Sequence, residues 1–107
     1  MLFWLYLLIA IVTEVVGTTM MKVSQGLTRL VPSVLMFLLY GISFAFMALA
    51  LKRIEVSIAY AVWSGLGTAL IAAIGIFWFR ESFNIPKLVG VVLIIAGVVL
   101  LNLKGAN

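Results

Sequence analysis

The chain has 107 residues, 66% apolar and 9% charged, with seven Lys and Arg against three acidic residues, a net charge of +4, and neither histidine nor cysteine. Soluble domains run nearer half apolar and a quarter charged, so this composition describes a membrane protein. The missing residue types exclude a disulfide scaffold, a thiolate nucleophile, the usual zinc ligand sets and Ser-His-Asp or Cys-His machinery.

The charged residues divide the chain. Setting Glu14 aside, the gaps between the others are apolar runs of about 20 residues, the length a helix needs to cross ~30 Å of hydrocarbon. Helices are therefore expected over about 2–21, 30–51, 56–79 and 86–103, forming one four-helix transmembrane domain over 1–107. They are helices because a lone helix satisfies its own backbone groups in lipid. Pro32 and Pro86 stand where the second and fourth should begin, and Gly26 and Gly105 just past the ends of the first and fourth. Trp4, Tyr6 and Trp78 suit the aromatic belt at the water interface. The first run differs from a secretory signal: it carries Glu14 and lacks a preceding basic stretch and a small-x-small cleavage site. The short loops leave no room for a nucleotide site, and no cofactor or metal is expected.

Four spans put Lys52, Arg53 and Lys104 on one side and Lys22, Arg29, Arg80 and Lys87 on the other. Three basic residues against four give the positive-inside rule almost nothing to act on. Two readings follow, a topology fixed by other features or insertion in both orientations. The positive charge itself needs only Lys and Arg at helix ends, snorkelling to headgroups, and no nucleic-acid stripe. Gly90 and Gly97 lie two turns apart on one face of the fourth helix, a surface for close association with a second copy or for packing within the chain.

Glu14 is the informative residue. It sits mid-span, and no Lys, Arg or His lies at comparable depth to neutralise it. A charge there costs at least ~2.5–3.5 kcal/mol on insertion scales, so the group faces a wet cavity or takes up a proton. A proton carrier and a neutral interhelical hydrogen-bonding group are the two roles such a residue can fill. Leu7, Ala10, Glu14, Gly17, Thr18 and Met21 share its face, with Ala10 and Gly17 leaving space beside the carboxyl. Thr18, one turn on, can donate to it or return a bond to its own backbone. The third helix presents Tyr60, Trp63, Ser64 and Gly67 at helical spacing, and the second Tyr40, Ser43, Phe44 and Met47. Aromatic rings around a carboxylate make a site for an organic cation, each ring face adding ~0.5–2 kcal/mol. Gly65 and Gly67 weaken the centre of the third helix and permit a bend, or close packing against a neighbour.

Thr13-Glu14-Val15-Val16-Gly17-Thr18-Thr19 through Lys22, Gly26-Leu27-Thr28-Arg29, Pro32-Ser33, Ala59-Tyr60-Ala61-Val62-Trp63-Ser64-Gly65-Leu66-Gly67 and Gly90 through Gly97 resemble the small multidrug resistance transporters. The resemblance covers essentially the whole chain. It implies a multi-pass protein of the bacterial inner membrane, an antiparallel dual-topology dimer that exports cations in exchange for protons through the two copies of Glu14. It further implies substrate contacts at Tyr60 and Trp63, with Tyr40, Ser43 and Thr18 lining the same chamber, a kink at Gly65 and Gly67, and a dimer contact at Gly90 and Gly97. Gly17-Thr18 and Trp63-Ser64 are similar to the quaternary-ammonium branch, whereas guanidinium exporters usually carry Trp where Val16 and Gly17 stand. Ile54-Glu55-Val56-Ser57 departs from many single-gene members and looks like members encoded as pairs, some of which are heterodimers and some of which export polyamines.

The expected function is proton-coupled antiport of hydrophobic cations such as quaternary ammoniums. The alternatives are export of guanidinium or a polyamine, alone or with a paired homologue, and a non-transporting helical protein in which Glu14 is a structural contact. An enzyme is not expected: Glu55 and Glu81 fall on opposite sides of the membrane and form no paired-carboxylate site. Arg80 and Glu81 are expected to be solvated at the end of the third helix.

Overall fold

A computed structural model describes residues 1–105, the side chains at 102, 104 and 105 excepted. It is all α: α1 Leu2–Val23, α2 Leu30–Ala50, α3 Val56–Phe77 and α4 Ile85–Gly105. The first three are long and apolar enough to cross a membrane, while α4 has a described apolar stretch, Ile85–Leu101, that is shorter. The helix ends fall within two residues of those expected. α1 and α4 run two residues past the expected ends, at Val23 and Gly105, and α3 stops two short, at Phe77 rather than 79. Lys104, counted in the charge balance, lies outside the described side chains. The stop expected at Gly105 falls at the limit of the described residues.

The helices group into two compact units, residues 1–54 and 55–107. In the first, α1 and α2 run antiparallel. Tyr6 meets Phe46 with ring centroids 5.8 Å apart, and the Ser43 hydroxyl donates to the Ala10 carbonyl at 2.7 Å. A Cβ on Gly17 would stand 2.7 Å from the Tyr40 ring. Leu7, Ala10, Ile11 and Val15 of α1 and Met36, Ser43 and Ala50 of α2 are buried. Pro32 is the third residue of α2, inside the first turn, where a backbone N–H has no intrahelical partner to lose.

Ser24, not Gly26, organises the turn between them. Its backbone N–H donates to the Met20 carbonyl at 2.8 Å, and its hydroxyl donates to Met21 O at 2.6 Å. The same hydroxyl oxygen accepts the Leu27 N–H at 3.0 Å, and the Ser24 carbonyl accepts the Thr28 and Arg29 N–H groups at 3.0 and 3.1 Å. These bonds hold Gln25, Gly26 and Leu27 in the left-handed region, at φ 51, 73 and 67°. Only Gly26 is free of the Cβ penalty there, so the fully buried Ser24 offsets strain at two ordinary residues.

In the second unit, α3 runs unbroken through Gly65 and Gly67. Gly65 serves close packing: a side chain there would collide with Val98 of α4 and crowd Ile94 at 3.2 Å. Arg80 and Glu81 are exposed, as expected, and Glu81 also folds back: its N–H donates to the Gly75 carbonyl at 2.9 Å and its carboxylate lies against Gly75, where a Cβ would strike it. This fold-back sets Arg80 at φ 56°. Asn84 then caps α4, its Oδ1 accepting the Lys87 N–H at 2.9 Å. Trp78 stacks on Phe79 at 5.7 Å, consistent with an interfacial position.

Replacing Ser24 by Ala leaves the Leu27 N–H without its acceptor and removes the bond to Met21. The expected loss is about 1–3 kcal/mol of stability, read by equilibrium unfolding of the micelle-bound protein in SDS.

Candidate functional site

Glu14 is the thirteenth residue of α1, about 18 Å along the axis from Leu2 and about 13 Å from Val23 at 1.5 Å per residue. It is half-buried. The Thr18 hydroxyl donates to its Oε1 at 2.9 Å and lies 2.7 Å from the Tyr40 hydroxyl. Thr18 therefore joins the carboxyl of α1 to the phenol of α2.

Two other threonines on α1 show that this is not the default behaviour. Thr13 bonds the Ile9 and Ala10 carbonyls at 2.8 and 3.1 Å, and Thr19 bonds the Val15 carbonyl at 2.9 Å. Mid-helix threonines ordinarily back-bond in this way. At Thr18 the hydroxyl is taken up by two side chains instead. Gly17 makes this possible: with no Cβ, it lets the Tyr40 ring lie against α1 with its hydroxyl over Thr18. Leu39 is the next neighbour, with its Cβ 3.4 Å from where a Gly17 Cβ would be.

The remaining expected residues of this unit divide by exposure. Ala10 and Ser43 are buried and bonded to one another, so the Ser43 hydroxyl is committed to backbone rather than open to a ligand. Phe44 is 59% exposed, its ring 6.3 Å from that of Tyr40. In the other unit Tyr60, also 59% exposed, meets the edge of Trp63 with centroids 5.4 Å apart at 78°. The Trp63 Nε1–H is buried with no hydrogen-bond partner among the described residues, an arrangement that ordinarily costs 1–3 kcal/mol by rough estimate. Ser64 is exposed, and with Ala61, Gly65, Thr68, Gly97 and Val98 it borders a shallow, mostly apolar groove between α3 and α4. Added side chains at Gly90 and Gly97 would meet nothing within 4 Å.

The sequence pointed to Glu14, its small neighbours and the aromatic pair. It left the direction of the Thr18 hydroxyl open and did not link Thr18 to Tyr40. That link depends on the register between α1 and α2, which no pattern within one helix specifies. The available signal was Gly17, a missing side chain one residue from Thr18 and at the level of a mid-span tyrosine on the next helix.

A Gly17→Ala substitution would push the Tyr40 ring away from α1. The expected result is loss of the Thr18–Tyr40 bond with the helices intact, seen as a shifted Tyr40 ring resonance and unchanged far-ultraviolet circular dichroism.

A family model described as Small Multidrug Resistance protein matches residues 2–94. The chain is 49% identical to the quaternary ammonium compound-resistance protein QacE of Escherichia coli, over 94% of this chain and 91% of that protein. It is 45% identical to the multidrug resistance protein EbrA of Bacillus licheniformis, over 94% and 96%. It is 51% identical to an uncharacterized membrane protein, YvaE, of Bacillus subtilis, over 94% and 84%. With a mid-span carboxyl, membrane-length apolar helices and similarity along nearly its whole length, the chain is a multi-pass membrane protein of the small multidrug resistance family.

Proposed function

We propose that the protein exports hydrophobic organic cations, such as quaternary ammoniums, in exchange for protons, and that proton and cargo compete for Glu14. The observation that carries this reading is the Glu14 carboxyl itself, half-buried at mid-span and hydrogen-bonded to a neutral threonine. A carboxylate in that setting needs a positive charge, and a proton or an organic cation each provides one. Proton entry from the acidic outer side displaces cargo, and cargo arriving from the cytoplasm displaces the proton. The similarity to proteins named for multidrug and quaternary-ammonium resistance supports the cargo class.

Tyr60 and Trp63, and likewise Tyr40 and Phe44, are the ring faces proposed for the cation, with Thr18, Gly17 and Ser64 as further contacts. Ring faces and apolar walls tolerate many shapes, because they do not require directed hydrogen bonds. A small polar cation such as guanidinium or a polyamine would need acceptors around the carboxylate. The burial of Ser43 withholds one such oxygen, which favours lipophilic cargo over that alternative. The working unit is an antiparallel homodimer, contacting through Gly90 and Gly97, whose open faces suit a second copy. Gly65 and Gly67 are the hinge, with Gly65 exchanging its close packing on Val98 as the cavity changes sides.

Adding a quaternary ammonium to purified, lightly buffered protein should release protons. Glu14→Gln should abolish the release, and continued release by that variant would remove the mechanism. Cargo affinity should fall as pH falls, by up to about tenfold per unit once the proton holds the carboxyl. Trp63→Ala should weaken binding roughly tenfold, the loss of about one ring contact, measured by calorimetry.

A further inference from the structure

A threonine hydroxyl has one hydrogen, and that count fixes the polarity of the bridge between Glu14 and Tyr40. An ionised carboxylate only accepts, so with Glu14 charged Thr18 must give its hydrogen to Oε1, at 2.9 Å. The contact of Thr18 Oγ1 with the Tyr40 hydroxyl, at 2.7 Å, can then be made only by the tyrosine donating. Charge on Glu14 thus fixes two hydroxyl rotors on two helices. A bond to a charged acceptor is roughly twice as strong as one between neutral groups, so the lock is firm only in that state.

When Glu14 takes a proton from water, the constraint lifts. A proton on Oε1 donates to Thr18, whose hydrogen turns to the Tyr40 oxygen and releases the phenol O–H. A proton on Oε2 leaves the old direction in place but held by a weaker, neutral acceptor. Either way Tyr40 is less firmly held, and Gly17 provides no side chain to hold the ring in its place. The titratable groups of the two packed helices are few: Tyr6, Glu14 and Lys22 on α1 and Tyr40 alone on α2. Of these, Glu14 is the acid bonded into one row with Thr18 and Tyr40.

We infer that Thr18 is a positioning residue that reports the charge of Glu14 to Tyr40, fixing the Tyr40 hydroxyl as a donor to Thr18 when the carboxylate is charged and ready for cargo, and releasing it when the carboxyl is protonated. The cation-ready site then presents acceptors, while the protonated site frees a donor whose positive end opposes a cation. Proton and cargo are set against each other at two residues rather than one. The inference rests on the reading of Glu14 as their shared site and extends it to the hydroxyls beside it.

The test is a carbon-13 NMR titration of the whole protein in bicelles, with label at the tyrosine ring Cζ and the glutamate Cδ. Tyr40 Cζ is expected to move with the midpoint of Glu14 Cδ, while Tyr6 does not. Thr18→Val, which keeps the volume and removes the hydroxyl, should uncouple Tyr40 from Glu14, and Thr18→Ser should restore the coupling. At high pH, Thr18→Val and Tyr40→Phe should each weaken binding of tetrabutylammonium about threefold to tenfold, and the double variant no more than either alone. A Tyr40 signal that ignores the Glu14 titration, follows it equally well in Thr18→Val, or gives additive losses in the double variant overturns the inference. A Glu14 signal that titrates without regard to tetrabutylammonium overturns the shared-site reading instead, so the two failures are distinct. Should Thr18→Val fail to assemble, Thr18→Ala removes the same hydroxyl and carries the comparison.

Discussion

A carboxyl group placed midway along a membrane helix, with no basic residue at its depth, is the constraint that orders the rest of the first hairpin. Hydrocarbon cannot solvate the charge, so the neighbouring residues determine how long it can persist. The chain surrounds it with a donor one turn away, a glycine that admits a ring and a tyrosine that completes a short row of hydroxyls. None of these groups carries a full charge of its own. The carboxyl is thus held by hydrogen bonding from uncharged neighbours.

The same economy separates packing from chemistry on α1 and α2. Ser43 and Ala10 form a buried interhelical bond, and Ser24 holds the turn. Such bonds are worth roughly 1 kcal/mol apiece in membranes, so they fix register more than they stabilise the hairpin. Register matters here because the Tyr40 hydroxyl must arrive over Thr18. A shift of one residue along α2 would turn the phenol by about a hundred degrees and break the row. On the other unit, Gly65 and Val98 set how closely α3 and α4 approach by shape alone.

The helices were legible because hydrophobic length is a coarse signal read over twenty residues, and the charges at Lys22, Arg29, Lys52 and Arg53 bracket it closely. Glu14 was legible because a lone charge in such a run has few innocent explanations. The turn was not: glycine at 26 suggested the stop, but the residue that builds it is a serine whose bonds reach both backward and forward. The contact of the exposed Glu81 with Gly75 was hidden for a similar reason, since it depends on the path of the α3–α4 loop. Ser43 looked like a ligand-facing hydroxyl because spacing gives its face but not the carbonyl waiting across from it. Each miss concerns a contact between segments, where periodicity within one segment is silent.

The six-residue turn after α1 also bears on how the protein is made. A loop that short costs little entropy to close, so α1 and α2 can pair as soon as both have left the ribosome. At 5–20 residues per second, the remaining half of the chain takes a few seconds more, by rough estimate, to emerge. Glu14, Thr18 and Tyr40 all belong to the part synthesised first. The acid and its hydroxyls can thus settle into register during biogenesis, before the second half of the chain has emerged.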